Sequence, residues 1–164
     1  MADGAPSGSR VLVALRVAAP PEQAFAVFTE QIGDWWQPNE LFTFSAGRSG
    51  RLAFEAGPGG RLVERYDDGS EFTIGQVRHW EPPHELVVSW RQDSFAPDQE
   101  TELHVSFTRV DERTTRVTVE HFGWDAIPAE HAARHGFPLA AFQQRYAEWW
   151  RELLDAFSML GTVT

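Results

Sequence analysis

Apolar and polar positions alternate with a period of two along most of this chain, and near its end the period changes to that of a helix. Residues 10–18 open the pattern, with Val11, Val13, Leu15 and Val17 on one face of a predicted strand. Pro20 and Pro21 end it and suit the first turn of a helix, in which Ala24, Phe25, Phe28 and Ile32 recur at helical spacing. Gly33 and Asp34 break that helix, and Asp34-Trp35-Trp36 predicts a short turn or second helix. Residues 41–44 read as extended. Turn signals then arrive at hairpin spacing: Gly57-Pro58-Gly59-Gly60, Asp67-Asp68-Gly69, Pro82-Pro83 and Asp111-Glu112-Arg113. They separate predicted strands at 51–55, 61–66, 71–80, 85–91, 101–110 and 115–122. A connection at 123–138 follows, with a possible helical piece at 128–135.

The period-3.6 segment is 139–160. Stepping about 100° per residue puts Leu139, Phe142, Tyr146, Trp149, Trp150, Leu153, Leu154, Phe157 and Leu160 on one broad face. Arg145, Glu148, Arg151, Glu152 and Asp155 lie opposite. Consecutive hairpins imply an antiparallel sheet, and a helix with so wide an apolar face must cover its inner side. The expected fold class is α+β: a curved antiparallel sheet of six or seven strands around a long C-terminal helix, with two short helices after the first strand. A disordered tail at 1–9 and one domain at 10–161 are expected.

Composition narrows the function. The chain carries seven Trp and twelve Phe, an aromatic excess that suits a ring-lined core or cavity. Its net charge of −10 argues against nucleic acid or an anionic membrane as partner. No cysteine is present, which excludes disulfides and thiolate chemistry. No apolar run approaches the roughly 20 residues of a membrane span, and the first ten residues lack a signal pattern, so the expected location is cytoplasmic. No hydrolase elbow, P-loop or dinucleotide fingerprint occurs, and Gly57–Gly60 lies between strands as a hairpin turn.

Strand parity selects candidate inward residues. Leu86, Val88 and Trp90 share a face, as do Leu103, Val105 and Phe107, and Val117 with Val119 continues to His121. By the same parity, Gly75 and Val77 continue to His79, and Leu62 to Glu64 and Tyr66. A few convergent polar groups in an apolar cavity are what orients a small ligand. Gln143 falls near the centre of the helix's apolar face, where it needs a partner or a wet pocket. Trp35 and Trp36 are expected either to form a wall or gate at the cavity mouth or to cap the core. The expected ligand-binding set is Trp35, Trp36, Glu64, Tyr66, His79, Trp90, His121, Gln143, Tyr146 and Trp150. No catalytic residue is assigned; general acid–base chemistry would fall to Glu64, His79 or His121. His131 and His135 have i,i+4 spacing if helical, but without further ligands they do not make a metal site, so no metal or cofactor is expected.

FTEQIGDWW, GGRLVERYDDGSEFTIGQVRHWEPPHELVVSW and TRVTVEHFGW together resemble the activator of heat-shock protein 90 ATPase homologue-like group. That group lies within the START-like (SRPBCC) superfamily of helix-grip, birch-pollen-allergen-like folds. The resemblance covers roughly 11–160, and is carried most specifically by Gly75, Val77, Trp80, Glu81, Pro82, Pro83, Leu86 and Trp90. It implies a seven-strand sheet wrapped around the C-terminal helix, with a cavity that in different relatives takes lipids, sterols, polyketides or hormones. The founding co-chaperones carry an additional N-terminal domain that this sequence does not show, which weighs against chaperone activation. The expected function is therefore non-enzymatic binding of a small hydrophobic or aromatic molecule between sheet and helix, by a monomer or homodimer. A polyketide cyclase- or dehydratase-like enzyme and a co-chaperone-style interaction protein stand as alternatives.

Overall fold

The computed structural model describes residues 10–37, 39, 42–45 and 47–161; the tail expected at 1–9 lies outside them. Seven antiparallel strands form one sheet in the order β1-β7-β6-β5-β4-β3-β2. They are β1 (Arg10–Val17), β2 (Arg51–Phe54), β3 (Arg61–Arg65), β4 (Glu71–Glu81), β5 (Glu85–Trp90), β6 (Thr101–Asp111) and β7 (Thr114–Phe122). Helices α1 (Pro21–Glu30) and α2 (Ile32–Trp35) follow β1, and α3 (Leu139–Gly161) closes the chain. This is the helix-grip architecture that the two periodicities predict.

Each inner face is built by alternation. Val11, Val13 and Val17 of β1, Leu103, Val105 and Phe107 of β6, and Val117 and Val119 of β7 are buried. Helix α3 lays Phe142, Tyr146, Trp149, Trp150, Leu153, Leu154 and Phe157 into the same apolar cluster. Burying side chains of this size stabilises by about 1.5–3 kcal/mol each, so this face holds helix to sheet. Leu160, expected in the core, is 41% exposed, while its neighbour Gly161 lies against Val17 of β1.

At Gly75 the backbone of β4 runs tight against β5. A Cβ there would meet the Ser89 carbonyl oxygen at 1.6 Å, so only glycine lets β4 pass this close to β5. Beyond it the β4–β5 register shifts between Val77 and His79, where Val77 faces Val88 but His79 faces Val87. The extra residue, Arg78, reverses the alternation. Trp80 turns inward onto Phe25, with ring centroids 5.1 Å apart, and His79 turns out.

The connection after β7 holds two 3₁₀ turns, Trp124–Ala126 and Ala132–Arg134, in place of a helix over 128–135. Arg134 accounts for that shape. Its buried guanidinium donates to the carbonyls of Ile127 and Phe137, each at 2.7 Å, and ties the irregular segment to itself.

Candidate functional site

The inner ends of β6 and β7 and the N-terminal half of α3 meet in a sealed aromatic cluster. His121 lies between Val11 of β1 and Leu103 of β6 in the ladder, and its ring is fully buried. Its Nε2 is 2.6 Å from the Thr101 hydroxyl oxygen, one diagonal step across the sheet. Its ring centroid is 5.1 Å from Tyr146 and 5.3 Å from Trp124, which are themselves 5.3 Å apart. Trp90 meets the other edge of the imidazole at 5.3 Å. Trp150, one turn along α3 from Tyr146, lies 6.3 Å from Trp90.

The polar atoms of this cluster are the anomaly. His121 Nδ1, Trp124 Nε1, the Tyr146 hydroxyl and Trp150 Nε1 are all buried with no protein hydrogen-bond partner among the described residues. Leaving one such group unpaired costs about 1–3 kcal/mol, and native interiors hold few of them. Here four collect in one place. Burial also sets their protonation: it pushes the His121 pKa down to about 3, with His104 a lesser cause, so the imidazole is neutral. Burial likewise drives the Tyr146 phenol well above its ordinary value. The Trp150 indole is near enough to temper this without reaching hydrogen-bond geometry.

Rings fill the space beside these atoms. Phe42 stacks on Trp149 at 5.2 Å and meets Tyr146 edge-on at 5.1 Å. Trp36 packs edge-on against Trp149 at 5.3 Å and Trp150 at 5.4 Å, and Phe44 meets Trp90 at 5.2 Å. All three come from the connection between α2 and β2. Among its backbone bonds is that from the Asp93 N–H to the Phe44 carbonyl at 2.7 Å.

At the outer edge of this plug sits Glu64, a buried carboxylate. It accepts from the Gly50 backbone N–H at 3.0 Å and from the Tyr66 hydroxyl at 2.6 Å. The Tyr66 oxygen is also 2.8 Å from Ser45 Oγ, and the Arg48 guanidinium lies 3.7 Å over the ring. Burial, then Glu64, pushes the Tyr66 pKa up to about 12. A recess of about 10 Å³, room for about one water molecule, lies between Glu64, Arg48, Gly50, Trp36 and Phe44.

Of the residues selected from sequence, Trp90, His121, Tyr146 and Trp150 form the inner cluster, and Trp36, Glu64 and Tyr66 stand at its edge. Trp35 is buried against Phe28 and Phe157 and donates its indole N–H to the Val27 carbonyl at 3.2 Å, which pins α2 to α1. Gln143 is half-buried at the margin of α3's apolar face, not at its centre. His79 does not face inward: the bulge at Arg78 puts it on the outer surface, 3.0 Å from Glu81 and 2.9 Å from Glu85. Those three form the group of metal-ligating type found among the described residues, and all are substantially exposed. His131 and His135 do not share a helical face, since His131 Nδ1 accepts the Ala133 N–H and His135 adopts a left-handed turn.

Trp124, Thr101, Phe42 and Phe44 escaped sequence parity. For Trp124 a signal existed. Gly123 takes φ 105°, a left-handed conformation that turns the chain back on itself, so Trp124 enters the core three residues after His121. A surface groove of about 370 Å³ also runs between α1 and the β4–β5 turn, lined by Phe25, Thr29, Glu30, Trp80 and Pro82.

The fold is shared with known proteins. An anthrahydroquino-gamma-pyrone synthase, Txn09, solved in complex with SUM, is 31% identical, with TM-score 0.55, over 91% of this chain and 94% of its own. CalC from Micromonospora echinospora, a self-sacrificing resistance protein, is 26% identical with TM-score 0.60, over 93% of each chain. PFC0360w, an HSP90 activator from Plasmodium falciparum, shares the fold at 18% identity and TM-score 0.64, over 93% of this chain and 96% of its own. No curated protein matches the chain. No helix among the described residues is long and apolar enough to cross a membrane. The family profile described as Activator of Hsp90 ATPase homolog 1-like protein matches residues 18–159, and the chain belongs to that family.

Proposed function

We propose that this protein binds a small, largely apolar aromatic molecule between its sheet and α3, next to His121, Trp124, Tyr146 and Trp150. The observation that carries the reading is the set of four unpartnered polar atoms inside one ring cluster. Their cost is offset when a guest supplies the missing hydrogen bonds. The guest reaches them by displacing the rings of Trp36, Phe42 and Phe44, whose contacts to α3 and β5 are ring against ring and exchangeable for those of another aromatic surface. Glu64 and Tyr66 stand where that exchange begins.

Native mass spectrometry of protein purified from its own host tests this. The expected result is an adduct of small-molecule mass that is lost on denaturation. An adduct-free protein whose tryptophan fluorescence and melting temperature ignore a library of aromatic compounds would sink the reading.

The 31% identity to Txn09 favours one second reading, a cyclase-like enzyme in which His121 and Tyr146 move a proton on the bound guest. Their ring centroids are 5.1 Å apart, so one guest touches both, and turnover would require the bound guest to offset the burial that makes the imidazole a weak base and the phenol a weak acid. The two readings separate on His121→Gln: an enzyme loses turnover while retaining the guest, whereas a binding protein shows no turnover to lose.

A further inference from the structure

The unpartnered atoms differ in what they can offer. Trp124 Nε1 and Trp150 Nε1 can only donate, and the Tyr146 hydroxyl can do either. Neutral His121, already engaged with Thr101 through Nε2, offers at Nδ1 one donor or one acceptor according to its tautomer. A fifth atom behind them follows suit. Arg134 is 3% exposed, its Nε is also without a partner, and its guanidinium lies 5.3 Å from the ring of Phe142. Among the described residues it pairs with no carboxylate; its other nitrogens serve the backbone carbonyls of Trp124, Ile127 and Phe137. The cluster is thus rich in donors, poor in acceptors, and backed by a buried positive charge that no carboxylate among the described residues balances.

Resting on the binding reading above, we infer that the guest is a planar ring system carrying carbonyl or similar oxygen acceptors on its rim, and that cationic rings are rejected. Each carbonyl placed against an indole or phenol donor replaces an unsatisfied polar atom by a hydrogen bond. A bare hydrocarbon of the same outline leaves those donors unpaired. A ring cation would meet the Arg134 charge in a low-dielectric interior, where repulsion is strong. The buried imidazole and phenol do not ionise near neutrality, so the preference holds from about pH 5 to pH 9.

Three tricyclic probes of similar size decide the matter by isothermal titration: fluorene, 9-fluorenone and the 10-methylacridinium cation. The expected order is fluorenone about fivefold tighter than fluorene, as one net hydrogen bond gives about 1 kcal/mol, with methylacridinium weakest. Trp124→Phe and Trp150→Phe, made singly, keep an aromatic ring and remove a donor. At least one should bring the fluorenone-to-fluorene affinity ratio below twofold, whatever it does to the affinity for rings as such, with near-UV circular dichroism confirming the fold. Equal binding of fluorene and fluorenone, or binding of methylacridinium as tight as fluorenone, overturns the acceptor rule and leaves ring binding standing. No binding by any of the three overturns ring binding, and this proposal with it.

Discussion

His121 shows how much one residue's surroundings decide. In the unfolded chain its imidazole takes up a proton below about pH 6.5, whereas in the folded protein burial delays this to about pH 3. The folded pKa is the lower one, so the contribution to stability is complete above pH 6.5 and is lost as pH falls through the window from 6.5 to 3. The slope is about 1.4 kcal/mol per pH unit inside that window. Urea unfolding at pH 7 and pH 5 should therefore show wild type losing roughly 2 kcal/mol more than His121→Leu. Equal losses in the two proteins would mean that the ring is accessible to protons. Gly75 is decided at the same scale. With the Ser89 oxygen 1.6 Å from where a Cβ would sit, Gly75→Ala forces β4 and β5 apart, and soluble yield and cooperative melting should both collapse.

At the scale of elements, α3 divides along its length. Leu153 and Leu154 are at most 1% exposed while Leu160 is 41% exposed, although all three occupy the same predicted stripe. Leu153→Ala should cost about 2–5 kcal/mol in chemical denaturation, and Leu160→Ala below about 1 kcal/mol. A Leu160→Ala cost matching that of Leu153→Ala would show the last turn packed in solution. The helix itself was legible in sequence because its period persists over six turns. The orientation of His79 was not: a bulge of one residue in β4 leaves no mark in the apolar pattern, yet it turns His79 out and Trp80 in. Of the plug, Trp36 was marked as a wall or gate, but Phe42 and Phe44 were hidden, because an irregular connection has no period to read. Only the edge-on and stacked contacts of its rings reveal it.

For the whole molecule, sheet and helix stand or fall together. Removing α3 exposes seven large side chains, Phe142, Tyr146, Trp149, Trp150, Leu153, Leu154 and Phe157. At about 1.5–3 kcal/mol each, that loss exceeds the 5–15 kcal/mol by which a typical domain is stable, or equals most of it. A chain ending at residue 138 should show no cooperative thermal transition by far-UV circular dichroism. A sharp melt in that truncated chain would mean that the sheet folds alone. The sequence by itself determined the fold class, the order and limits of nearly every element, and the inward face of β5, β6 and β7. Those follow from periods of two and 3.6 and from turn residues, which are local. It also pointed to His121, Tyr146 and Trp150 one by one. The tertiary structure alone decided that their polar atoms gather unpaired beside Trp124, with Arg134 behind them and aromatic rings in front. That arrangement joins residues from β7, the connection after it and α3, and whether a buried donor finds a partner depends on what distant segments place within about 3 Å of it.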